Sequence, residues 1–389
     1  MSDKAKTTRR LFLGSTVAVS TLIAGCSGQE GADTETPTDA PTETTTRTAT
    51  ETTTDTATET ATETQTEEPT TVENFSYPAG ASRDGIRASE LFQTHRSAIV
   101  EGESATVSID QATDRDGHAS SVSLTNRYGP NGVSQVKEAG KLTESLWSPS
   151  GEDAGYVEMD TGFEQRYRID NQAPDPQAVL RLRLIQRLLA GSQWSDATTV
   201  VETAAGEPAV VYESTGIANE QDLLRVVFGD ELSEFEATIS VTEAGYLSGF
   251  SYEMTVERDT RTVQQQMTAV VEMVGKTTVE EPSWAGTAQE NGVQFTASVS
   301  DDAKAIVLEL ENGEVPTGIR VQLSSGRFDT TTLSESVTAG DTLYLSFSED
   351  NSLVVGRNEM PSDSTALEDF AFVNLRDGDF VLFEKDISF

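Results

Sequence analysis

One cysteine and two histidines among 389 residues leave this chain short of the side chains on which metal, redox and thiol chemistry depend. A lone Cys26 forms no disulfide within the chain, and His95 with His118 are too few for a histidine-rich metal site. Lysine is scarce as well. Beyond residue 73 only Lys137, Lys141, Lys276, Lys304 and Lys385 occur, against 17 arginines. There is no Gly-x-Ser-x-Gly elbow, Walker loop, His-Glu-x-x-His or Cys-x-x-Cys. Ser134-Gln135-Val136-Lys137 matches Ser-x-x-Lys, but it falls in a strand-like run without companion motifs. Asp114-Arg115-Asp116-Gly117 starts like a calcium loop and lacks the third oxygen ligand and closing Glu, so a hairpin turn explains it better. Paired carboxylates such as Asp301-Asp302 carry no information in so acidic a chain. The expectation is no catalytic residue, no cofactor, no metal and no enzymatic activity.

What the chain has in excess is negative charge: 65 acidic residues against 27 basic give −38. Residues 1–29 carry +3, residues 30–73 carry −11, and the remaining −30 is dispersed over residues 74–389. A dispersed acidic, lysine-poor surface resembles proteins of extreme halophiles, where concentrated salt screens repulsion within a few Å. Nucleic acid is excluded as a partner, because a phosphate backbone needs a basic footprint.

The N-terminus states an address. Arg9 and Arg10, after Lys4 and Lys6 and before Leu11-Phe12-Leu13, resemble the twin-arginine export consensus. The apolar run Leu11 to Gly25 is 15 residues long and diluted by Gly14, Ser15, Thr16, Ser20 and Thr21, shorter than the roughly 20 needed to span a bilayer. Ile23-Ala24-Gly25-Cys26 resembles a lipobox. Residues 1–25 are therefore expected to be a cleaved signal peptide, with Cys26 lipidated on the extracellular face of the cell membrane. From Thr34 to Thr71 no Val, Ile, Leu, Met or aromatic residue occurs, so residues 26–73 are expected to be a disordered Thr/Glu-rich stalk. Asn74-Phe75-Ser76, where stalk meets fold, is the single Asn-x-Ser/Thr sequon and a candidate N-glycosylation site.

Beyond Phe75 the pattern is that of an α+β domain. Leu91, Phe92, His95, Ala98 and Ile99 mark an amphipathic helix, with His95 on its apolar side. Alternating runs then predict an antiparallel meander through Ala105–Ile109, Val122–Leu124, Val133–Val136, Leu142–Trp147, Tyr156–Met159 and Phe163–Ile169. Asp175, Pro176 and Gly191 bracket one strongly apolar helix over Val179 to Leu189. A second helix is expected over Glu220–Phe228, and strands over Ala209–Tyr212, Phe235–Val241, Tyr246–Val256 and Val263–Val274. After Gly286 helical periodicity ends. Seven short alternating runs predict a β-sandwich of immunoglobulin-like type over 286–389.

This order of elements, closed by Pro282-Ser283-Trp284, resembles the lipoprotein-carrier fold of LolA-like and mycobacterial LppX-like proteins over residues 74–285. The whole chain resembles a family of haloarchaeal lipoproteins sharing the export signal, Thr-rich stalk and Pro-Ser-Trp junction. The resemblance implies a curved antiparallel sheet wrapped over helices, with an apolar cavity that receives acyl chains. Phe163, Tyr167, Leu184 and Ile185 are the candidate lining residues. The favoured expectation is a lipid-anchored surface protein that binds or carries an apolar, lipid-like ligand. The alternative is an envelope module that contacts protein or glycan through its sandwich; a protein partner is not identified by the sequence.

Overall fold

A computed structural model describes residues 69–389 apart from Phe228, Asp259 and Thr260. The expected signal peptide, Arg9, Arg10, Cys26 and most of the stalk lie outside the described residues. A small hairpin, β1 (Ala81–Ser82) and β2 (Gly85–Ile86), leads into α1 (Ala88–Glu101). Six strands follow in succession: β3 (Ala105–Arg115), β4 (His118–Gly129), β5 (Gly132–Ala139), β6 (Leu142–Pro149), β7 (Gly155–Asp160) and β8 (Gln165–Asp170). Then come α2 (Pro176–Val179), α3 (Leu182–Gly191), β9 (Ser192–Trp194), β10 (Thr199–Glu202), β11 (Pro208–Ile217) and α4 (Glu220–Val227). Three long strands complete this part: β12 (Glu231–Thr242), β13 (Leu247–Arg258) and β14 (Arg261–Glu272).

All twelve strands from β3 to β14 form one antiparallel sheet in the order β10-β11-β12-β13-β14-β3-β4-β5-β6-β7-β8, with β9 pairing elsewhere along β11. The sheet is two meanders joined where β14 pairs with β3, from Thr106 opposite Glu272 to Arg115 opposite Val263. Turn chemistry sets the hairpins. Asp116 and Gly117, at φ 54 and 84°, supply the left-handed pair a two-residue turn requires, and Asp114 accepts the Gly117 N–H at 2.7 Å. Register shifts leave Ser233 extra in β12 and Ser248 extra in β13 and bend the two strands.

One face of the sheet is apolar over β11–β14, β3 and β4, and the helices cover it. Leu91, Phe92 and Ile99 of α1 and Leu182, Ile185, Leu188 and Leu189 of α3 pack on Ile109, Leu124, Tyr212, Ile239, Phe250, Tyr252 and Met254. The single helix expected over Val179 to Leu189 is broken into two. Arg181 adopts a left-handed conformation (φ 56°, ψ 28°), which lets Val179, Leu180 and Leu182 all turn into the core. An unbroken helix would have aimed part of that apolar circumference at solvent.

Along the same face the residues change character strand by strand. Leu124 stands beside Lys137, Lys137 beside Glu144, and Glu144 beside Met159. Beyond this polar stripe Val157 and Met159 belong to a second core, that of the C-terminal β-sandwich. The sandwich is reached through a strap over the opposite face, where Thr277 Oγ1 meets Thr106 Oγ1 at 2.9 Å, and through α5 (Ala285–Asn291). The helix corrects the expectation that helical structure ends before Gly286: only Ala285 and Ala288 of its seven residues are buried, too few for a visible period.

The sandwich comprises β15 (Gln294–Val299), β16 (Ala305–Asn312), β17 (Glu314–Val315), β18 (Arg320–Ser324), β19 (Phe328–Thr332), β20 (Val337–Thr338), β21 (Thr342–Phe347), β22 (Leu353–Arg357), β23 (Phe370–Asp377) and β24 (Phe380–Ser388). Its sheets, β15-β16-β21-β22 and β19-β18-β23-β24, enclose Leu308, Leu310, Val321, Leu323, Leu345, Phe347, Val373 and Leu375. The pairings β15-β16-β21 and β18-β23-β24 follow the A-B-E and C-F-G order of immunoglobulin domains. The edge strand β22 departs from it, because it follows β21 in the chain where strand D precedes E. Three strands escaped the sequence pattern: β17 and β20 are two residues long, and β19 is a polar Phe-Asp-Thr-Thr-Thr run. Val293 bonds along the free edge of β8, accepting from Ile169 N at 2.9 Å and donating to Tyr167 O at 3.0 Å, so that edge is covered.

Candidate functional site

Between the helices and the inner face of the long sheet a cavity of about 220 Å³ remains open. Its floor is a row across three strands, Tyr252 beside Met267 and Met267 beside Gln111, flanked by Leu124 and Gln265. Its roof is Leu184 and Arg187 of α3, Arg181 at the helix break, and Arg225 and Val226 of α4. Its apolar walls are Leu124, Leu184, Val226 and Met267, and its charged groups are all arginines.

Those arginines are poorly satisfied. Arg181 Nε is buried without a hydrogen-bond partner, and among the described residues no carboxylate pairs with Arg181 or Arg187. Burial pushes the Arg181 guanidinium below its ordinary pKa, with Tyr252 acting in the opposite direction. Arg187 spends one Nη1–H on the Arg225 carbonyl at 2.9 Å. Arg225 has only an exposed 3.9 Å contact with Asp222, whose other oxygen accepts from Asn219 at 2.7 Å. Tyr252, raised in pKa by burial, donates to Gln265 Oε1 at 3.3 Å. The arrangement can hold an anion against apolar walls.

Of the four expected lining residues one borders the cavity. Leu184 lines the cavity, whereas Ile185, next to it on α3, is 1% exposed in the core and does not line it. Phe163 stands instead at the β7–β8 turn, 93% exposed, because Gly162 (φ 81°) throws it beyond the strand pair. Tyr167 sits on β8, far along the sheet order, where its hydroxyl reaches Glu158 at 3.4 Å and Gln165 at 3.3 Å. Asn74 is exposed in a short turn, accepting from Thr71 N at 2.5 Å, while Phe75 beside it is buried. His95 is buried and its Nδ1 accepts the Leu247 N–H at 3.1 Å. Ser134 and Lys137 lie on opposite faces of β5, so the Ser-x-x-Lys match assembles nothing.

Larger recesses lie elsewhere, two of them roughly twice the size. One of about 490 Å³, at the seam between β8 and β24, holds a paired arginine: Arg168 contacts Glu144 at 3.5 Å and Asp170 at 2.8 Å and donates to Val381 O at 2.8 Å. The other, about 430 Å³ on the outer face, lies beneath the strap and combines Trp147 and Trp284 with Arg127, Ser134 and Glu280. Trp147 stacks on Tyr156 there, with ring centroids 5.7 Å apart. Among the described residues no cluster of His, Cys, Asp and Glu is arranged to hold a metal, and no helix is long and apolar enough to cross a membrane.

The geometry defines a class: an open antiparallel sheet with helices on one face and a small cleft between the layers. No protein-family model matches the sequence, and no curated protein does. Similar solved structures are LppX/LolA-like lipoprotein-sorting domains and a related complex. The lipoprotein LppX of Mycobacterium tuberculosis is 12% identical, with 49% of this chain and 98% of that one covered at a TM-score of 0.30. The MucA/MucB complex of Pseudomonas aeruginosa is 12% identical over 74% of this chain and 87% of that one, TM-score 0.21. A putative outer membrane lipoprotein-sorting protein domain from Vibrio parahaemolyticus is 6% identical over 52% and 98%, TM-score 0.21.

Proposed function

We propose that this chain is a lipid-anchored protein of the extracellular face of the cell membrane that binds or carries an apolar, lipid-like ligand without catalysis, in surroundings of concentrated salt. The observation that carries the reading is the cleft where Leu124, Leu184, Val226, Met267 and Tyr252 face one another under α3 and α4. Its roughly 220 Å³ is below the ~300–1,000 Å³ of sites that bury a whole drug-sized ligand, so it takes part of an amphiphile rather than the whole of a long acyl chain. Arg9, Arg10 and Cys26 support the membrane address, and the Thr-rich stalk supplies reach.

The test uses the full chain carrying Cys26→Ser, purified in concentrated NaCl. Mass spectrometry of its organic extract should find a stoichiometric amphiphile, and the emptied protein should rebind added lipid. An empty extract together with no binding overturns the ligand reading. Cell fractionation tests the address separately, since wild type should carry a lipid mass at Cys26 that the variant lacks.

The outer groove favours a second reading. Aromatic rings edged by Arg127, Ser134 and Glu280 are the chemistry of glycan recognition, which suits an envelope interaction module working through the strap-covered sheet face. Trp284→Ala abolishing retention on immobilised cell-envelope glycan, with lipid binding unchanged, would favour it.

A further inference from the structure

We infer that the ligand carries an anionic head, a phosphate, sulfate or carboxylate, held by Arg181, Arg187 and Arg225 at the mouth of the cleft while its apolar part lies on Leu124, Leu184 and Met267. This rests on the ligand reading above and deepens it by naming the chemistry at the polar end. The first ground is electrostatic context. Residues 74–389 carry −30, yet three arginines converge on one cavity, and among the described residues Arg181 and Arg187 meet no carboxylate. A surface with that excess of acid offers carboxylates everywhere, so their exclusion here leaves guanidinium hydrogens free for an incoming group. The second ground is desolvation. Arg181 Nε is buried with no partner, a costly state for a guanidinium that an anion relieves.

The third ground is geometry. Arg181 is held in place by its backbone: its left-handed conformation ends α2 and starts α3, and its carbonyl accepts Leu184 N at 3.0 Å and Ile185 N at 3.2 Å. The Arg187 side chain is steadied by the Arg225 carbonyl, which ties α3 to α4. Both side chains line the cavity, and a planar guanidinium fork matches the two-oxygen edge of a phosphate or carboxylate. The floor offers no competing acid: Gln111, Gln265 and Tyr252 are its polar members, and all three are neutral at physiological pH. The field of the whole protein repels anions, so concentrated salt that screens it beyond a few Å leaves the short-range arginine contacts as the deciding interaction.

The experiment is isothermal titration calorimetry of the full-chain Cys26→Ser protein in concentrated NaCl with three probes: dodecyl phosphate below its micelle concentration, dodecanol, and inorganic phosphate. Dodecyl phosphate should bind at least tenfold more tightly than either of the others. Arg181→Gln and Arg187→Gln should each weaken it by roughly 10- to 100-fold, the loss expected for one charge-assisted contact, while leaving dodecanol binding unchanged. Leu184→Asp should weaken both amphiphiles. Equal binding of dodecyl phosphate and dodecanol, indifferent to both arginine variants, overturns the anionic head while leaving the apolar ligand standing. Binding of inorganic phosphate as tight as that of dodecyl phosphate overturns the amphiphile in favour of a free anion. Binding of none of the three overturns the ligand reading itself. Should Arg181→Gln fail to fold, as judged by near-UV circular dichroism, Arg187→Gln carries the same comparison from a site not involved in the helix break.

Discussion

Beneath the sandwich, Arg168 meets Glu144 and Asp170 and donates to the Val381 carbonyl; beneath the helices, Arg181 is also largely sunk and meets no carboxylate. Both arginines serve the same face of the same sheet. In the first half Arg168 and Arg166 are both paired, Arg166 adding a 2.9 Å contact to Asp377 and lying over the Phe380 ring, so two packed layers are stapled together. In the second half the layers are joined by apolar packing, and the polar groups at the opening are left unfinished. A satisfied buried arginine marks a seam, and an unsatisfied one marks a place for something else.

The comparison breaks hardest at the seam. Arg168→Ala takes from Glu144, Asp170 and the Val381 carbonyl the guanidinium they share, and should cost about 3 kcal/mol in urea unfolding. The sandwich signal should move to lower denaturant than that of the helical half. Loss below about 1 kcal/mol would mean that the seam is held by Val157 and Met159 alone.

The helical half should answer to pH through His95. Burial lowers its pKa to about 4, whereas the unfolded chain takes up that proton near 6.5. Above pH 6.5 both states are neutral and the contribution is intact. As pH falls from 6.5 to 4 the unfolded state gains the proton and the native state does not, so about 3 kcal/mol is withdrawn. His95→Gln keeps an acceptor for Leu247 N and should flatten this part of the stability profile; identical wild-type and variant slopes would refute the assignment.

At the cleft the sign reverses. Arg181→Met keeps the apolar stem and removes the unpartnered guanidinium, so the empty protein should gain about 1 kcal/mol. Differential scanning calorimetry would show a higher midpoint, and a lower one would mean that the charge is satisfied. The exposed pair Arg87–Glu90 on α1 completes the series: Glu90→Gln should leave the unfolding midpoint in concentrated salt unchanged, since pairing without burial contributes little.

Much of this architecture was legible in the residues. Strict alternation in Phe250, Tyr252, Met254 and Val256 fits β13, and Asp175-Pro176 begins a helix whose cap the structure confirms through Gln177 N at 2.9 Å. What pattern misses is whatever local sequence does not encode: the break at Arg181, the pairing of β14 with β3, and the passage of the sandwich onto the face of β7. The site was half legible. Leu184 follows from the apolar helix, whereas Phe163 misleads because a hydrophobic residue in an alternating run looks the same in a strand as one step beyond it. A signal for the arginines was present nonetheless. From Pro176 to Gly191 the chain holds Arg181, Arg183 and Arg187 and no acid at all, an anomaly in so acidic a body.

The pairing of β14 with β3 sets a timetable for making the protein. Strand β3 presents its open edge once residue 115 has left the ribosome, and its partner ends only at Glu272. At roughly 5–20 residues per second the intervening chain takes on the order of 8–30 seconds to appear, during which an eleven-residue strand edge stands unpaired. Closing a loop of that span is also slow, so completion of the sheet trails synthesis. Such a chain gains from a translocation route that waits for the finished fold, which is the kind of export its paired arginines at 9 and 10 are expected to request.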